Sequence, residues 1–226
     1  SLLVHPAALY VGLRSERLFV ERGQPLRIDA IVTDLDGRAV PGRDVNVVAE
    51  RLDWEQEEGE WKDKAIDSQS CPLVSAADGA RCTFKTPEGG RYRVTARVTD
   101  DEQRPNETRL HLWVAGEKTT PRRSLEQEKV TLVPDKKEYR PGEVARILVL
   151  APFAPAEGLF TLRRSGLLRQ ERFTMTGSSR TLEVRVERAL VPNVHVQVDL
   201  VGAAPRPDDS GPRRSAGSRR GRCRWS

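Results

Sequence analysis

Aromatic residues make up only 5% of this 226-residue chain, and it holds just three cysteines, three histidines and one methionine. No apolar run approaches the roughly 20 residues that a bilayer-spanning helix requires, which excludes an integral helical membrane protein. His5, His111 and His195 fall on the amino-terminal segment and on two separate strands, so neither a metal centre nor a cofactor site is expected. A Gly-x-Ser-x-Gly nucleophile turn is missing too, and Asp208-Asp209-Ser210 sits in a stretch without core-forming pattern, so no enzyme is expected. The first residues, Ser1-Leu2-Leu3-Val4-His5-Pro6, carry no initiator Met, basic region or cleavage pattern, so a leader would lie upstream and the sequence reads as a piece of a larger protein.

Charge excess is absent from most of the chain as well. The net +5 comes from residues 206–226, where Arg206, Arg213, Arg214, Arg219, Arg220, Arg222 and Arg224 face only Asp208 and Asp209. Residues 1–205 are neutral, so the folded part has no field for steering polyanions, and no nucleic-acid partner is expected.

What the sequence does have is alternation. In Arg91-Tyr92-Arg93-Val94-Thr95-Ala96-Arg97-Val98-Thr99, the residues Tyr92, Val94, Ala96 and Val98 point one way and the polar residues the other, as in a strand buried on one face. The same period runs through Leu26, Ile28, Ala30 and Val32, then Val45, Val47 and Ala49, with turns at Asp36-Gly37 and Pro41-Gly42 between them. Adding Tyr10 to Leu13, Trp61 to Ile66, Thr83 to Lys85 and Leu110 to Val114 gives about seven strands, the count of an immunoglobulin-like sandwich. Gly89-Gly90 ahead of Tyr92 suits a corner in which the tyrosine hydroxyl bonds back to the preceding turn, a structural role. Trp54 to Trp61 is acidic with a Trp at each end and a Glu58-Gly59 turn, which predicts a projecting hairpin stiffened by a cross-strand Trp pair; on composition its rings are the best candidate for contacting a partner, and packing onto their own sheet is the competing and favoured reading.

Cys71 and Cys82 bracket a short loop whose Asp78-Gly79 turn can bring both thiols together on adjacent strands. A disulfide there closes a small loop, worth about 3 kcal/mol, and calls for an oxidising, extracytoplasmic compartment: periplasm, cell envelope or secreted. Two free thiols and a zinc pair are the other readings, the last without a second ligand pair. Cys223 has no evident partner in the sequence.

Domains are expected at 1–116 and 129–204, joined by a linker at 117–128 and followed by a disordered Arg/Gly/Ser-rich tail at 205–226. An offset of 119 aligns Val11 with Val130, Leu13 with Leu132, Gly23 with Gly142, Arg27 with Arg146 and Ile28 with Ile147, a divergent internal repeat. Asp34-Leu35-Asp36-Gly37 opens like a calcium loop but continues with Arg38, and reads as a plain turn. Asn106-Glu107-Thr108 is a glycosylation sequon on an expected loop.

The run from Val130 through Pro134-Asp135-Lys136-Lys137-Glu138-Tyr139-Arg140-Pro141-Gly142-Glu143 to Arg146, then Ala151-Pro152-Phe153 and Val191-Pro192-Asn193-Val194, resembles macroglobulin-type domains of bacterial alpha-2-macroglobulin-like proteins. Residues Arg81 to Tyr92 resemble the preceding domain of the same proteins. The resemblance implies two tandem all-β, immunoglobulin-like (macroglobulin-type) antiparallel sandwiches acting as structural scaffold in a broad-spectrum endopeptidase inhibitor. Its partners would be the parent's other macroglobulin domains and, through the whole protein, proteases. The family's thioester sequence Cys-x-Glu-Gln is absent: Asp53 precedes Glu55-Gln56, and Ser124 precedes Glu126-Gln127, at the cysteine position. No bait residue carries over to a numbered position. A tandem immunoglobulin-like stalk or adhesin module is the alternative reading.

Overall fold

The computed structural model describes residues 5–57, 60–116, 130–202 and 223–224. The chain divides into two compact units, Ser1–Glu16 with Gly23–Val114, and Arg17–Arg22 with Ala115–Ser226. Apart from one turn of 3-10 helix at Arg188–Leu190, the regular structure is all strand, as the period-two alternation requires. The expected linker at 117–128 and almost all of the expected tail lie outside the described residues.

The elements from residue 10 to 115 are β1 (Tyr10–Ser15), β2 (Phe19–Glu21), β3 (Leu26–Thr33), β4 (Asp44–Glu57), β5 (Glu60–Val74), β6 (Ala80–Phe84), β7 (Gly90–Thr99) and β8 (Pro105–Ala115). In the first unit β1-β3-β6 form one sheet, and β8, β7, β4 and β5 are successive neighbours in another. Alternate residues enter the core between them: Leu26, Ile28, Ala30 and Val32 from β3, Val45, Val47 and Ala49 from β4, and Tyr92, Val94, Ala96 and Val98 from β7 are all buried. Two sequence expectations need correcting. Trp61 to Ile66 is not a short strand but part of β5, 15 residues long, and Thr83 lies in β6 of the opposite sheet. Asn106 is on β8 rather than a loop, and its Oδ1 accepts a hydrogen bond from the Val11 amide at 3.0 Å, which ties up the sequon's side chain.

The second unit contains β9 (Thr131–Pro134), β10 (Val144–Leu150), β11 (Ala156–Arg163), β12 (Leu167–Met175), β13 (Ser179–Arg185), β14 (His195–Gly202) and β15 (Cys223–Arg224). Its sheets run β9-β10-β13 and β12-β11-β14-β15, and close on a core of Ile147, Val149, Phe160, Leu162, Phe173, Met175, Val196, Val198 and Leu200. Of the tail, Cys223 and Arg224 pair with Val196 and His195.

The internal repeat extends to hydrogen-bond register. Moved by 119 residues, Leu13 opposite Ala30 becomes Leu132 opposite Val149, and Ser15 opposite Ile28 becomes Pro134 opposite Ile147. Gly23 and Gly142 both have left-handed backbones, with φ of 84° and 96°, which only glycine adopts without strain. Their amides bond to Thr86 and Val186, each two residues beyond the partner of the next strand's first core residue (Leu26 opposite Phe84, Ala145 opposite Val184).

The turn from β7 to β8 is built on Asp100, whose buried carboxylate accepts hydrogen bonds from the amides of Ala8, Glu102 and Arg104 and from Arg104 Nε. The Ala8 amide is the largest single cause that holds this carboxyl down to about 2, joined by the bonds from Arg104 and Glu102 against the cost of burial. A depressed folded-state pKa stabilises the fold above the unfolded value of 3.8 and loses that contribution as pH falls toward 2. Acid titration of the thermal midpoint should therefore show a drop between about pH 4 and 2 that is flattened in Asp100→Asn. An unchanged acid limb in the variant would assign the drop to other carboxylates.

Candidate functional site

The sequence singled out Cys71, Cys82, Trp54, Trp61 and Tyr92, and all five belong to one region: the β4–β5 hairpin and the strands beside it. β4 pairs with β7 only from Val45 to Leu52, so Asp53 onward has β5 as its neighbour and the hairpin projects past the sheet. A bulge sits at the base of this projection, because Arg51 faces Asp67 while Leu52 faces Ala65, leaving Ile66 as the extra residue and 39% exposed.

Oppositely charged side chains close the projecting ladder. Lys64 Nζ reaches Glu55 at 2.5 Å and Lys62 Nζ reaches Glu57 at 2.9 Å. In backbone register Trp54 pairs with Asp63 and Trp61 with Gln56, so the two tryptophans are not directly opposed. Trp54 is half-buried beneath the Arg91 guanidinium, which lies 4.6 Å from its ring centroid and also bonds Asp63. Trp54 therefore packs onto its own sheet, the favoured of the two readings, through a cation–π contact that alternation alone does not reveal. The Trp61 side chain lies outside the described residues.

Farther along, His111 faces Arg93 across the β7–β8 pair. Burial first, then the neighbouring charges of Arg91, Arg93 and Arg109, lower its pKa. Among the described residues, no three His, Cys, Asp or Glu side chains converge on a point that could hold a metal ion. His195 is exposed on β14.

Cys71 and Cys82 form a disulfide with their Cα atoms 6.1 Å apart. The sequence placed the thiols on adjacent strands. β5 and β6 are consecutive, yet they hydrogen-bond in different sheets, so the disulfide joins the two sheets of the sandwich. Register adds a comparison: Cys82 faces Ile28 as Leu182 faces Ile147, so an apolar contact stands in the second unit where the first has its covalent tie. Sequence inspection singled out neither Leu182 nor Arg91.

Tyr92 is 2% exposed and donates from its hydroxyl to the Glu88 carbonyl at 2.9 Å, four residues back. At the start of the second unit, buried Asp135 accepts from Tyr139 Oη at 2.5 Å and from the Arg146 amide at 2.9 Å. Replacing Tyr92 by Phe keeps the ring and removes one hydrogen bond, at a cost of about 1 kcal/mol. Denaturant unfolding of Tyr92→Phe measures this, and an unchanged midpoint would mean that the hydroxyl contributes nothing to the corner.

Residues 130–221 match the family model of the alpha-2-macroglobulin bait region domain. An alpha-2-macroglobulin homolog of Nostoc sp. is 23% identical over 204 residues, covering 87% of this chain and 11% of that protein. Alpha-2-macroglobulin of Escherichia coli is 27% identical over 151 residues, covering 60% of this chain and 9% of its own length. The chain thus spans about a tenth of the curated relatives it matches. Among solved structures, the native conformation of E. coli alpha-2-macroglobulin is 22% identical with a TM-score of 0.37, covering 98% of this chain and 15% of that one. In sequence the chain is thus similar to bacterial alpha-2-macroglobulins, and the bait region domain match falls on its second unit.

Proposed function

We propose that these two sandwiches are scaffold in an alpha-2-macroglobulin-like, broad-spectrum endopeptidase inhibitor, and that this chain carries neither bait nor thioester. The observation that bears most weight is the pairing of the β10, β11 and β13 backbones along their length, since a protease needs an extended, locally unpaired segment and a stable strand offers none. Cys-x-Glu-Gln does not occur, which removes the covalent capture step from this stretch of sequence. Among the described residues the hairpin pairs Lys64 with Glu55 and Lys62 with Glu57 and stacks Trp54 under Arg91, which supports a mechanical, non-enzymatic role. The partners in this reading are the parent protein's other macroglobulin domains and, through the whole inhibitor, its target proteases.

An extracytoplasmic location, in periplasm, envelope or secreted form, goes with this proposal because the Cys71–Cys82 bond persists only where thiols are not kept reduced. No helix of the described residues is long and apolar enough to cross a membrane.

The test is digestion of the chain by a protease panel, followed by mass spectrometry of the products and assay of the protease that remains. Cuts confined to 117–129 and 203–226 with full protease activity support the scaffold reading. A cut chain that holds its protease in a stable complex would make one of these segments a bait and overturn it.

A further inference from the structure

The offset of 119 residues also relates the outer faces of the two three-stranded sheets. In the second unit β10 is buried on both sides: Ile147 and Val149 belong to the core between the sheets, while Leu148 and Leu150 point the other way and are still no more than 4% exposed. A stretch of the same unit, Arg17–Arg22, lies on that outer face. Glu21 Oε1 accepts from the hydroxyl of Thr181, the register partner of Leu148, at 2.7 Å, and the Leu18 amide donates to the Asp135 carbonyl at 2.9 Å. Phe19 and Val20, between these two anchors, are buried.

Each of these positions has a counterpart in the first unit. Leu148 opposite Val133 corresponds to Asp29 opposite Arg14, and Leu150 opposite Thr131 to Ile31 opposite Gly12. The anchors Asp135 and Thr181 correspond to Glu16 and Arg81, since Arg81 is opposite Asp29 as Thr181 is opposite Leu148. In the first unit this face holds an open groove of about 580 Å³, whose walls include Gly12, Arg14, Asp29, Ile31, Gly79 and Arg81. Gly12 gives the groove its depth. It sits inside β1 in unbroken register and outside the left-handed region, so neither a bulge nor a turn calls for glycine there, and a Cβ would lie 3.3 Å from Ile31 Cγ2. Arg81 bonds Asp29 at 2.6 and 3.1 Å and Glu16 at 3.2 Å, yet it stays exposed, as does Arg14.

We propose that the outer face of β1-β3-β6 is a docking surface for an extended segment of the parent protein lying outside this sequence, in which apolar residues are followed by a carboxylate, as Phe19 and Val20 are followed by Glu21. The apolar residues rest on Ile31 in the space that Gly12 leaves, and the carboxylate meets the guanidinium groups of Arg81 and Arg14, which stand where the second unit has Thr181 and Val133. With Asp29 and Arg14 in place of Leu148 and Val133, this face is the more polar of the two, so charge complementarity selects the segment more than apolar area does. The parent as source rests on the scaffold reading above and on the small share of its curated relatives that this chain spans; the surface itself rests on the repeat and the groove.

The experiment alkylates Ile31→Cys in this full chain and in the parent protein, with Leu35→Cys on the exposed turn after β3 as the reference, and reads each site by mass spectrometry of the digest. Residue 31 should react readily in this chain and about tenfold or more slowly in the parent, while residue 35 reacts equally in both. In the parent, adding Arg81→Glu should restore fast reaction at residue 31, and adding Arg81→Lys, which keeps the cation, should not. A photoreactive maleimide carried on residue 31 of the parent should cross-link to a segment with apolar residues next to an Asp or Glu. Equal rates at residue 31 in chain and parent, protection that survives Arg81→Glu, or a cross-linked segment without a carboxylate would each overturn the proposal. So would slow reaction in this chain at every concentration, which closes the groove from within, and slow reaction that quickens on dilution, which puts a second copy in place of the parent segment. None of these readouts involves a protease, so the docking surface can fail while the scaffold reading stands, and the reverse.

Discussion

Replacing both Cys71 and Cys82 by serine should lower unfolding free energy by about 3 kcal/mol, the value for cross-linking a short loop in the unfolded chain. Only 11 positions separate the two cysteines, so the entropy removed from the unfolded state is near the low end for disulfides, but the bond's placement adds to its consequence. It ties β5 to β6 across two sheets that share no backbone ladder at that point, and its loss leaves Cys82, 1% exposed, as a polar serine in the core. Urea unfolding with and without reductant, on the native chain and the double variant, measures the effect. The native chain should lose stability on reduction and the variant should not respond. Equal midpoints in all four conditions would mean that the tie contributes nothing beyond the contact that Leu182 makes in the second unit.

The other large effect concerns the repeated isoleucines. Ile28 and Ile147 are both completely buried and occupy the same register, opposite Ser15 and Pro134. Truncating either to alanine removes three buried carbons and leaves a cavity between two sheets whose backbones are fixed by their ladders. The cost is about 2–5 kcal/mol for each, the range for large-to-small changes in a core. Hydrogen exchange resolved by segment tells the units apart: Ile28→Ala should lower protection in β1, β3 and β6, and Ile147→Ala in β9, β10 and β13. If the second core closes over the space with no loss of stability, the packing around Phe160 and Leu200 is looser than their burial indicates.

Much of this was legible in the residues themselves. Strand alternation identified the buried face of β3, β4 and β7 residue by residue, since side-chain direction on a strand is fixed by position within the strand. The offset of 119 matches Gly23 with Gly142, and both have left-handed backbones, since a tight turn that needs positive φ admits few other residues. The macroglobulin resemblance was carried by local runs such as Pro134 to Gly142. Trp54 was the weakest reading: a half-buried ring under Arg91 and an exposed ring beside a turn have the same local sequence, and only the meeting of β4 with β7 separates them.

What the sequence determined by itself was therefore whatever a strand or turn decides within a few residues: period, buried face and turn chemistry. The tertiary structure alone decided which sheet each strand entered. That choice turned the Cys71–Cys82 pair from a link between neighbours into a tie across the sandwich, and placed the Phe173 ring where a Cβ on Gly158 would collide with it. Sheet membership depends on contacts between strands far apart in sequence, and alternation is identical on either side of the core, so no local pattern carries that information.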